Sequence, residues 1–315
     1  MAAPRTDPLV LGSDAPVGWA VLDGIEWLRR RVLPAHRDSV GRILMLMPAM
    51  ALLALLVWGV ASLIEKSFHA FDPVMLVQGP WSLEQYATLF RASQFKTVLM
   101  RTISMSLICS ILTLALALPL SFYMAGLRRA VVRRVIVVLL FVPVLTGDIT
   151  RTFAWLVTFA PTGPFETIAH AMGLHSVNLI GTLALIAIGI IQVQLPIAVV
   201  LLLPSIVGIN PELEAAAATL GARPSRAFVT VTLPLLRAPL SVAAGLLFVL
   251  AMSSFADPAI LGSGLNNFLA NYLQNRYLNL GNPAQGAAIA VVMLILMCVG
   301  FALFALLGGK RRTET

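Results

Sequence analysis

The sequence predicts an all-α polytopic membrane protein with six transmembrane helices, on three observations. Hydrophobic residues make up 59% of the 315 residues and charged residues only 11%, whereas about a quarter of an average soluble domain is charged. Apolar runs of more than 18 residues recur along the chain, and each is long enough to cross a bilayer as a helix. Strand-like alternation of apolar and polar residues is absent from these runs. This composition excludes a water-soluble enzyme.

Six apolar segments account for the predicted spans. Their approximate bounds are residues 43–64, 97–124, 135–159, 179–207, 240–261 and 285–307. We take residues 43–307 as the transmembrane domain, 1–42 as an N-terminal cytoplasmic segment and 308–315 as a cytoplasmic tail. Apolar residues at helical spacing in the N-terminal segment predict a short helix on the membrane surface: Trp19, Leu22, Ile25, Leu28 and Val32.

The basic residues predict the orientation of these spans. Sixteen of the 22 fall in alternate segments: before the first span, between spans two and three, between spans four and five, and after the sixth. Because cytoplasmic loops carry an excess of Lys and Arg, both termini are expected in the cytoplasm. The net charge of +8 is therefore a topology signal. It gives no support to a nucleic-acid partner, and membrane lipid is the expected surrounding.

Local signals add detail to this outline. Residues Ser82-Leu83-Glu84-Gln85 are typical of a capping box and predict a short helix before the second span. Pro119, Pro143 and Pro196 lie inside spans two, three and four, where a proline can break or kink a helix.

The polar insertion at residues 208–239, between spans four and five, predicts a helix, a turn and a second helix. Asn210 is a good cap, Pro211 suits the first helical position, and Glu212 and Glu214 lie at the positive end of the helix dipole. Gly221 then supplies a left-handed stop. A second helix starts at Pro224 and the insertion closes at Leu233-Pro234. A simple connection is the alternative, but the small apolar face formed by Leu213, Ala216, Ala217 and Leu220 indicates a protein partner.

This insertion resembles the EAA loop of ABC importer permeases, the inner-membrane subunits of binding-protein-dependent uptake systems. Nine residues separate Gly221 from Val231-Thr232-Leu233-Pro234, as in the family pattern. The consensus Glu, six positions before the glycine, is replaced by Ala215, and Glu214 lies one place earlier. Three further segments resemble the polyamine-type branch of the family: residues 82–90, 143–155 and 255–262.

The resemblance implies a type I ABC importer permease fold, a bacterial inner-membrane location and a transport role. The chain would form half of the translocation path. Its partners would be a second, different permease subunit, two ABC ATPase subunits and a periplasmic substrate-binding protein. The residues implied in ATPase coupling are Glu212, Glu214, Ala215, Ala216, Gly221, Leu233 and Pro234. The implied cargo is a polyamine, spermidine or putrescine, while similar relatives handle iron, thiamine or other small cargo.

The chain itself carries no sign of catalysis. A Gly-x-x-x-x-Gly-Lys-Ser/Thr phosphate loop is absent, so ATP and Mg²⁺ are expected on the partner ATPase subunits. The four histidines show no metal-ligand spacing, and no cofactor or metal is expected. An intramembrane enzyme would show a motif such as Gly-x-Ser-x-Gly or His-Glu-x-x-His, and neither occurs. A stand-alone secondary transporter would show inverted repeats, which six spans do not display convincingly.

Four residues are candidates for the translocation path: Asp148, Arg151, Trp155 and Asp257. Charged side chains at membrane depth usually face a cavity or each other. The alternative for Asp148 and Arg151 is a mutual i,i+3 salt bridge that orients the helix. A capping role is the alternative for Asp257, and an interfacial anchor for Trp155. Gln192 and Gln194 are two positions apart and so point in different directions.

Overall fold

The computed structural model describes residues 38–72, 77–127, 129–172, 179–210 and 212–309. The predicted surface helix near the N-terminus, Pro211 and residues 310–315 of the predicted tail lie outside these ranges. The chain divides into two units, residues 1–62 and 63–315.

Most of the described residues are helical, and one small β-hairpin lies between the first two helices. In chain order the helices are α1 (Asp38–Ser67), α2 (Glu84–Arg91), α3 (Ser93–Ala125), α4 (Ala130–Leu145), α5 (Asp148–Thr158), α6 (Pro164–Ala171), α7 (Leu183–Val207), α8 (Glu212–Thr219), α9 (Pro224–Ala227), α10 (Leu233–Leu235), α11 (Arg237–Met252), α12 (Ala256–Ile260), α13 (Leu269–Gln274) and α14 (Pro283–Gly308). Two π-helical turns, Phe228–Thr232 and Asn275–Asn279, follow α9 and α13.

The first predicted span lies in α1. From Leu46 onward α1 is apolar and passes the length and hydropathy test for a membrane span. Large apolar side chains such as Leu52, Leu55 and Trp58 are exposed along it, as expected of a helix in contact with lipid acyl chains.

A two-stranded antiparallel hairpin follows α1, and the sequence does not predict it. Strand β1 (His69–Asp72) pairs with β2 (Val77–Trp81). His69 Nδ1 lies 2.9 Å from the carbonyl oxygen of Gly79, and the rings of His69 and Trp81 pack with centroids 4.8 Å apart. Strands of four and five residues are too short for an alternating pattern to be recognised. The contact between the rings of His69 and Trp81 stabilises the pairing of the two strands.

Four long helices build the core of the second unit. Helix α3 packs against α7 and α11, and α11 packs against α14. The face of α3 turned inward carries small side chains every three or four residues: Thr102, Ser106, Ser110, Thr113, Ala117 and Ser121 are all buried. Small residues let membrane helices approach closely, so this face fixes the contact between α3 and its neighbours.

The third span is broken, contrary to the continuous segment predicted to residue 159. Helix α4 ends at Leu145 and α5 begins at Asp148 with a bend of 93° between them. Thr146 and Gly147 between the helices are extended, with ψ of 136° and 146°. Pro143 precedes this break, whereas α3 and α7 continue through Pro119 and Pro196. A proline alone therefore does not break these helices; the extended residues after it do.

The fifth span is also shorter than predicted. Helix α11 ends at Met252, and the predicted last third of the span forms a separate short helix, α12. The segment from Pro224 to Leu235 meets α11 at 69°. Within the described residues, four helices are long and apolar enough to cross a membrane, and six spans result if each bent pair is one span. The count of six and the cytoplasmic placement of both termini remain predictions.

Candidate functional site

The insertion between α7 and α11 folds as the predicted helix, turn and helix. Asn210 Oδ1 accepts a hydrogen bond from the backbone N–H of Glu212 at 3.0 Å, so Asn210 caps α8 as expected. Four alanines then extend α8 to Thr219, and Pro224 is the first residue of α9. The helix–turn–helix prediction is confirmed.

Gly221 ends α8 in a left-handed conformation, with φ of +82°. The N–H of Ala222 donates to the carbonyl oxygen of Ala217 at 3.0 Å, and the N–H of Gly221 donates to that of Ala218 at 2.9 Å. This pair of bonds is the Schellman pattern that closes a helix C-terminus. A Cβ at position 221 would meet nothing within 4 Å. The positive φ, and not a lack of space, is therefore the reason for a glycine here.

Glu214 connects the two halves of the insertion. The hydroxyl of Thr232 donates to Glu214 Oε1, across the 18 positions that separate the two residues. Thr232 is buried at the end of the π-helical turn that precedes Leu233-Pro234. Glu214 therefore ties α8 to the Leu-Pro end of the insertion, whereas Ala215 at the consensus position has no acidic group to offer.

The outer surface of α8 is open. No residue of α8 is buried, and Leu213 and the following turn residue Leu220 are 43% and 89% exposed. Exposed apolar side chains beside short alanines form a low, apolar surface of the kind that protein partners cover. This surface is called the α8 surface below.

The second candidate site is a cavity of about 440 Å³ bounded by α5, α7, α11 and α12. Three of the four candidate path residues, Asp148, Arg151 and Asp257, line it. Trp155 does not line it. Most of the remaining wall is apolar, with polar contributions from Gln194, Ser253 and Ser254.

Asp148 and Arg151 form the predicted i,i+3 salt bridge. Arg151 Nη2 lies 2.8 Å from Asp148 Oδ1. The arginine side chain is 6% exposed and the aspartate side chain 73% exposed. Arg151 Nη1 also donates to the carbonyl oxygen of Pro143 at 3.4 Å, next to the break between α4 and α5. The pair thus connects both sides of the break.

Asp257 is 4% exposed and joins separate segments of the chain. Its Oδ1 accepts a hydrogen bond from Thr152 Oγ1 at 2.9 Å, and its Oδ2 lies 3.4 Å from Ser254 Oγ. Among the described residues, no cationic side chain forms an ion pair with the Asp257 carboxylate; Arg151 pairs with Asp148 and acts on Asp257 only from a longer distance. A buried carboxylate without a cationic partner is costly to keep charged. A cation that entered the cavity would offset this cost.

Trp155 and the two glutamines have other partners. The indole Nε1 of Trp155 donates to Gln192 Oε1, and its ring stacks on Phe159 with centroids 5.6 Å apart. Gln194 accepts from Thr113 Oγ1 at 3.0 Å and donates to the carbonyl oxygen of Leu247 at 2.8 Å. The prediction that the glutamines point in different directions is confirmed. Trp155 packs against α7 and offers no ring face to the cavity.

The sequence did not reveal three residues that lie against Asp257. Thr152 and Ser254 hold Asp257, and Gly189 of α7 lies against its carboxylate. Thr152 follows Arg151 directly, and Ser254 is three positions before Asp257, so sequence proximity was an available signal for both. No sequence signal connects Gly189 with Asp257, 68 positions later.

The chain is similar in sequence to inner-membrane permeases of known transport systems. Residues 110–313 match the family described as binding-protein-dependent transport system inner membrane component. The inner membrane ABC transporter permease protein YdcU of Escherichia coli (strain K12) is 26% identical over 317 positions, which cover 95% of this chain and 97% of that protein. The spermidine/putrescine transport system permease protein PotB of Salmonella typhimurium (strain SL1344) is 27% identical over 239 positions, covering 75% and 82%.

A solved structure shares the fold. It is a chain of a bacterial alginate ABC transporter in complex with an alginate pentasaccharide-bound periplasmic protein, and it superposes with a TM-score of 0.70 at 16% identity. The match covers 88% of this chain and 95% of that chain. At this identity the likeness concerns the fold alone.

Proposed function

Because the chain belongs to the family of binding-protein-dependent transport system inner membrane components, an inner-membrane permease family, we propose that it is one permease subunit of an ATP-driven importer and forms half of the translocation path. It supplies no ATPase site of its own. ATP and Mg²⁺ are bound by two partner ATPase subunits, and a second, different permease subunit completes the path.

The observation that carries this proposal is the geometry of the insertion at residues 208–239. A capped helix, a left-handed glycine and the Glu214–Thr232 contact hold the α8 surface in one shape. Its exposed apolar residues suit an ATPase subunit as partner. A rigid element at this place can pass a change in the ATPase to α7 and α11, which continue from its two ends into the core.

A periplasmic binding protein delivers the cargo in this scheme. The description of the family as binding-protein-dependent supports such a partner. We propose a polyamine, spermidine or putrescine, as the cargo. Support comes from the PotB relatives and from the Asp257 carboxylate in the cavity, because carboxylates offset the lost hydration of an ammonium group.

A saccharide is the second candidate for the cargo, because a trehalose/maltose transport system permease protein of Thermococcus litoralis is 28% identical over 292 positions. The two candidates differ in charge. A neutral or acidic saccharide gains nothing from the unpaired Asp257, whereas a polyamine does. Iron and thiamine, the other cargoes that the sequence resemblance implies, are also cations, and their labelled forms are added to the assay below as competitors of the polyamine.

The test is uptake into right-side-out reconstituted vesicles that hold the complete transporter, with ATP enclosed and the binding protein and cargo outside. We expect ATP-dependent accumulation of labelled spermidine or putrescine, and none of labelled trehalose or maltose. We also expect that the purified chain alone does not hydrolyse ATP. Uptake of the saccharide without any uptake of polyamine would contradict the proposed polyamine cargo. ATP hydrolysis by the pure chain would contradict the proposal that only the partner subunits hydrolyse ATP.

A further inference from the structure

Gly189 lies where α7 passes the carboxylate of Asp257. A Cβ at position 189 would lie 2.8 Å from Asp257 Oδ1, 3.1 Å from its Cγ and 3.1 Å from Leu261 Cδ1. Distances below about 3.0 Å between a Cβ and an oxygen require one of the two to move. Gly189 is itself buried in the middle of a helix, so no loop geometry explains the glycine.

Helix propensity argues against glycine at this position. In a helix interior, Gly is about 1 kcal/mol less favourable than Ala. An alanine would therefore strengthen α7 if the space were free. The close approach of Asp257 is the contact that excludes it.

Thr152, in α5, bonds to the same carboxylate. Its hydroxyl lies 2.9 Å from Asp257 Oδ1 and 2.8 Å from the carbonyl oxygen of Asp148, so two acceptors compete for one proton. A bond to an ionised carboxylate is the stronger of the two. Helix α5, which carries Thr152, begins directly after the break in the third span, and α12, which carries Asp257, follows the early end of α11.

We propose that Gly189 and Thr152 are positioning residues that hold the Asp257 carboxylate at the cavity wall, where it receives a cationic group of the cargo. Gly189 allows the contact with α7, and Thr152 sets the orientation of the carboxylate. The cargo part of this statement rests on the proposed function, whereas the positioning part concerns the electrostatics of the cavity and can be measured without any cargo.

The experiment reports the charge of the cavity through Ser253, an exposed residue that lines it. The assembled transporter carries Ser253→Cys in a chain whose own cysteines, Cys109 and Cys298, are changed to alanine. The labelling rates with a cationic and an anionic methanethiosulfonate reagent are compared as a ratio. Asp257→Asn should lower the cation-to-anion ratio about fivefold, as expected when one charge roughly 8 Å away in water acts oppositely on the two reagents.

Gly189→Ala and Thr152→Val should each change this ratio by about twofold or more, and neither should change it further in the Asp257→Asn background. Thr152→Ser, which keeps the hydroxyl, should restore the original ratio. Gly59→Ala is the matched control, because Gly59 also lies within a helix and its Cβ would meet nothing within 4 Å. If Gly189→Ala fails to insert, the two Thr152 variants still decide.

Two outcomes would overturn the positioning role. One is an unchanged ratio in both Gly189→Ala and Thr152→Val, and the other is an equal change with and without the Asp257 carboxylate. Spermidine, as the probe cation, should also slow the labelling of Ser253→Cys, and less so after Gly189→Ala. Absent protection with the expected ratios would reject the cationic cargo and leave the positioning role supported.

Discussion

At the scale of single residues, two carboxylates of the cavity differ in their partners. Asp148 is occupied by Arg151 at 2.8 Å. Asp257 has hydroxyl partners instead of a cation among the described residues. Both aspartates line the same cavity and both are carboxylates, but they have different partners. Their substitutions should therefore differ in kind.

Asp257→Asn should lower uptake at least about fivefold while the amount of complex recovered from the membrane stays near that of the unaltered protein. The amide keeps the size of the side chain and removes the charge that attracts a cation. The measurement is uptake of labelled spermidine into vesicles, divided by the complex recovered. Glu84→Gln, at an exposed carboxylate in α2, serves as control. Equal losses in uptake and recovery would make Asp257 a structural residue.

Asp148→Asn should reduce recovery as well as uptake. It leaves the Arg151 guanidinium, 6% exposed, without its anion. Loss of one partner of a buried pair costs about 3–5 kcal/mol, and the exposure of Asp148 makes the cost here smaller. Recovery measured by detergent extraction and size-exclusion chromatography checks this. Normal recovery with lost uptake would instead place Asp148 beside Asp257 in the path.

At the scale of elements, the insertion at residues 208–239 and the break at residues 146–147 carry the functional geometry. The insertion is a locally determined element: its cap, its alanines and its glycine all lie within twelve positions. The break between α4 and α5 has both local and distant support: Arg151 bonds to Pro143 across the break, and Thr152 bonds to Asp257, 105 positions later.

Gly221→Val should weaken binding of the ATPase subunit about tenfold and leave insertion of the chain unchanged. A β-branched residue in the left-handed region costs on the order of 1–2 kcal/mol, so the turn after α8 would open and misplace the α8 surface. Pull-down of the ATPase subunit by the permease complex measures the loss. Gly221→Asn is the matched variant, because Asn tolerates a left-handed conformation, and it should retain most of the binding. Normal co-purification and normal uptake with Gly221→Val would contradict a role for this turn.

At the scale of the whole molecule, the charge distribution predicts six spans with both termini in the cytoplasm. Reporter fusions after Arg129 and after Thr315 should report a cytoplasmic location, and a fusion near His170 should report the periplasm. The physical reason is the retention of Lys and Arg on the cytoplasmic side. Activity of a periplasmic reporter after Thr315 would reject the arrangement, and with it the cytoplasmic placement of the α8 surface.

The sequence alone determined the class of the protein and the insertion at residues 208–239. Long apolar runs dictate membrane helices whatever their neighbours, because a bilayer core leaves backbone groups no other partners. The insertion could be read from Asn210, the alanines, Gly221 and Pro224, because caps and turns depend on residues a few positions apart. The Asp148–Arg151 pair is of this kind too, since its partners are three positions apart on one helix.

Tertiary structure alone decided where the spans break and which polar groups meet. Pro119, Pro143 and Pro196 look alike in sequence, yet only the helix that contains Pro143 is broken near its proline. Trp155 packs on Gln192 instead of lining the cavity, and Gly189 touches Asp257 across 68 positions. Contacts between distant segments depend on how the helices pack, and packing is a property of all their faces together. Side-chain type at a single position does not contain that information.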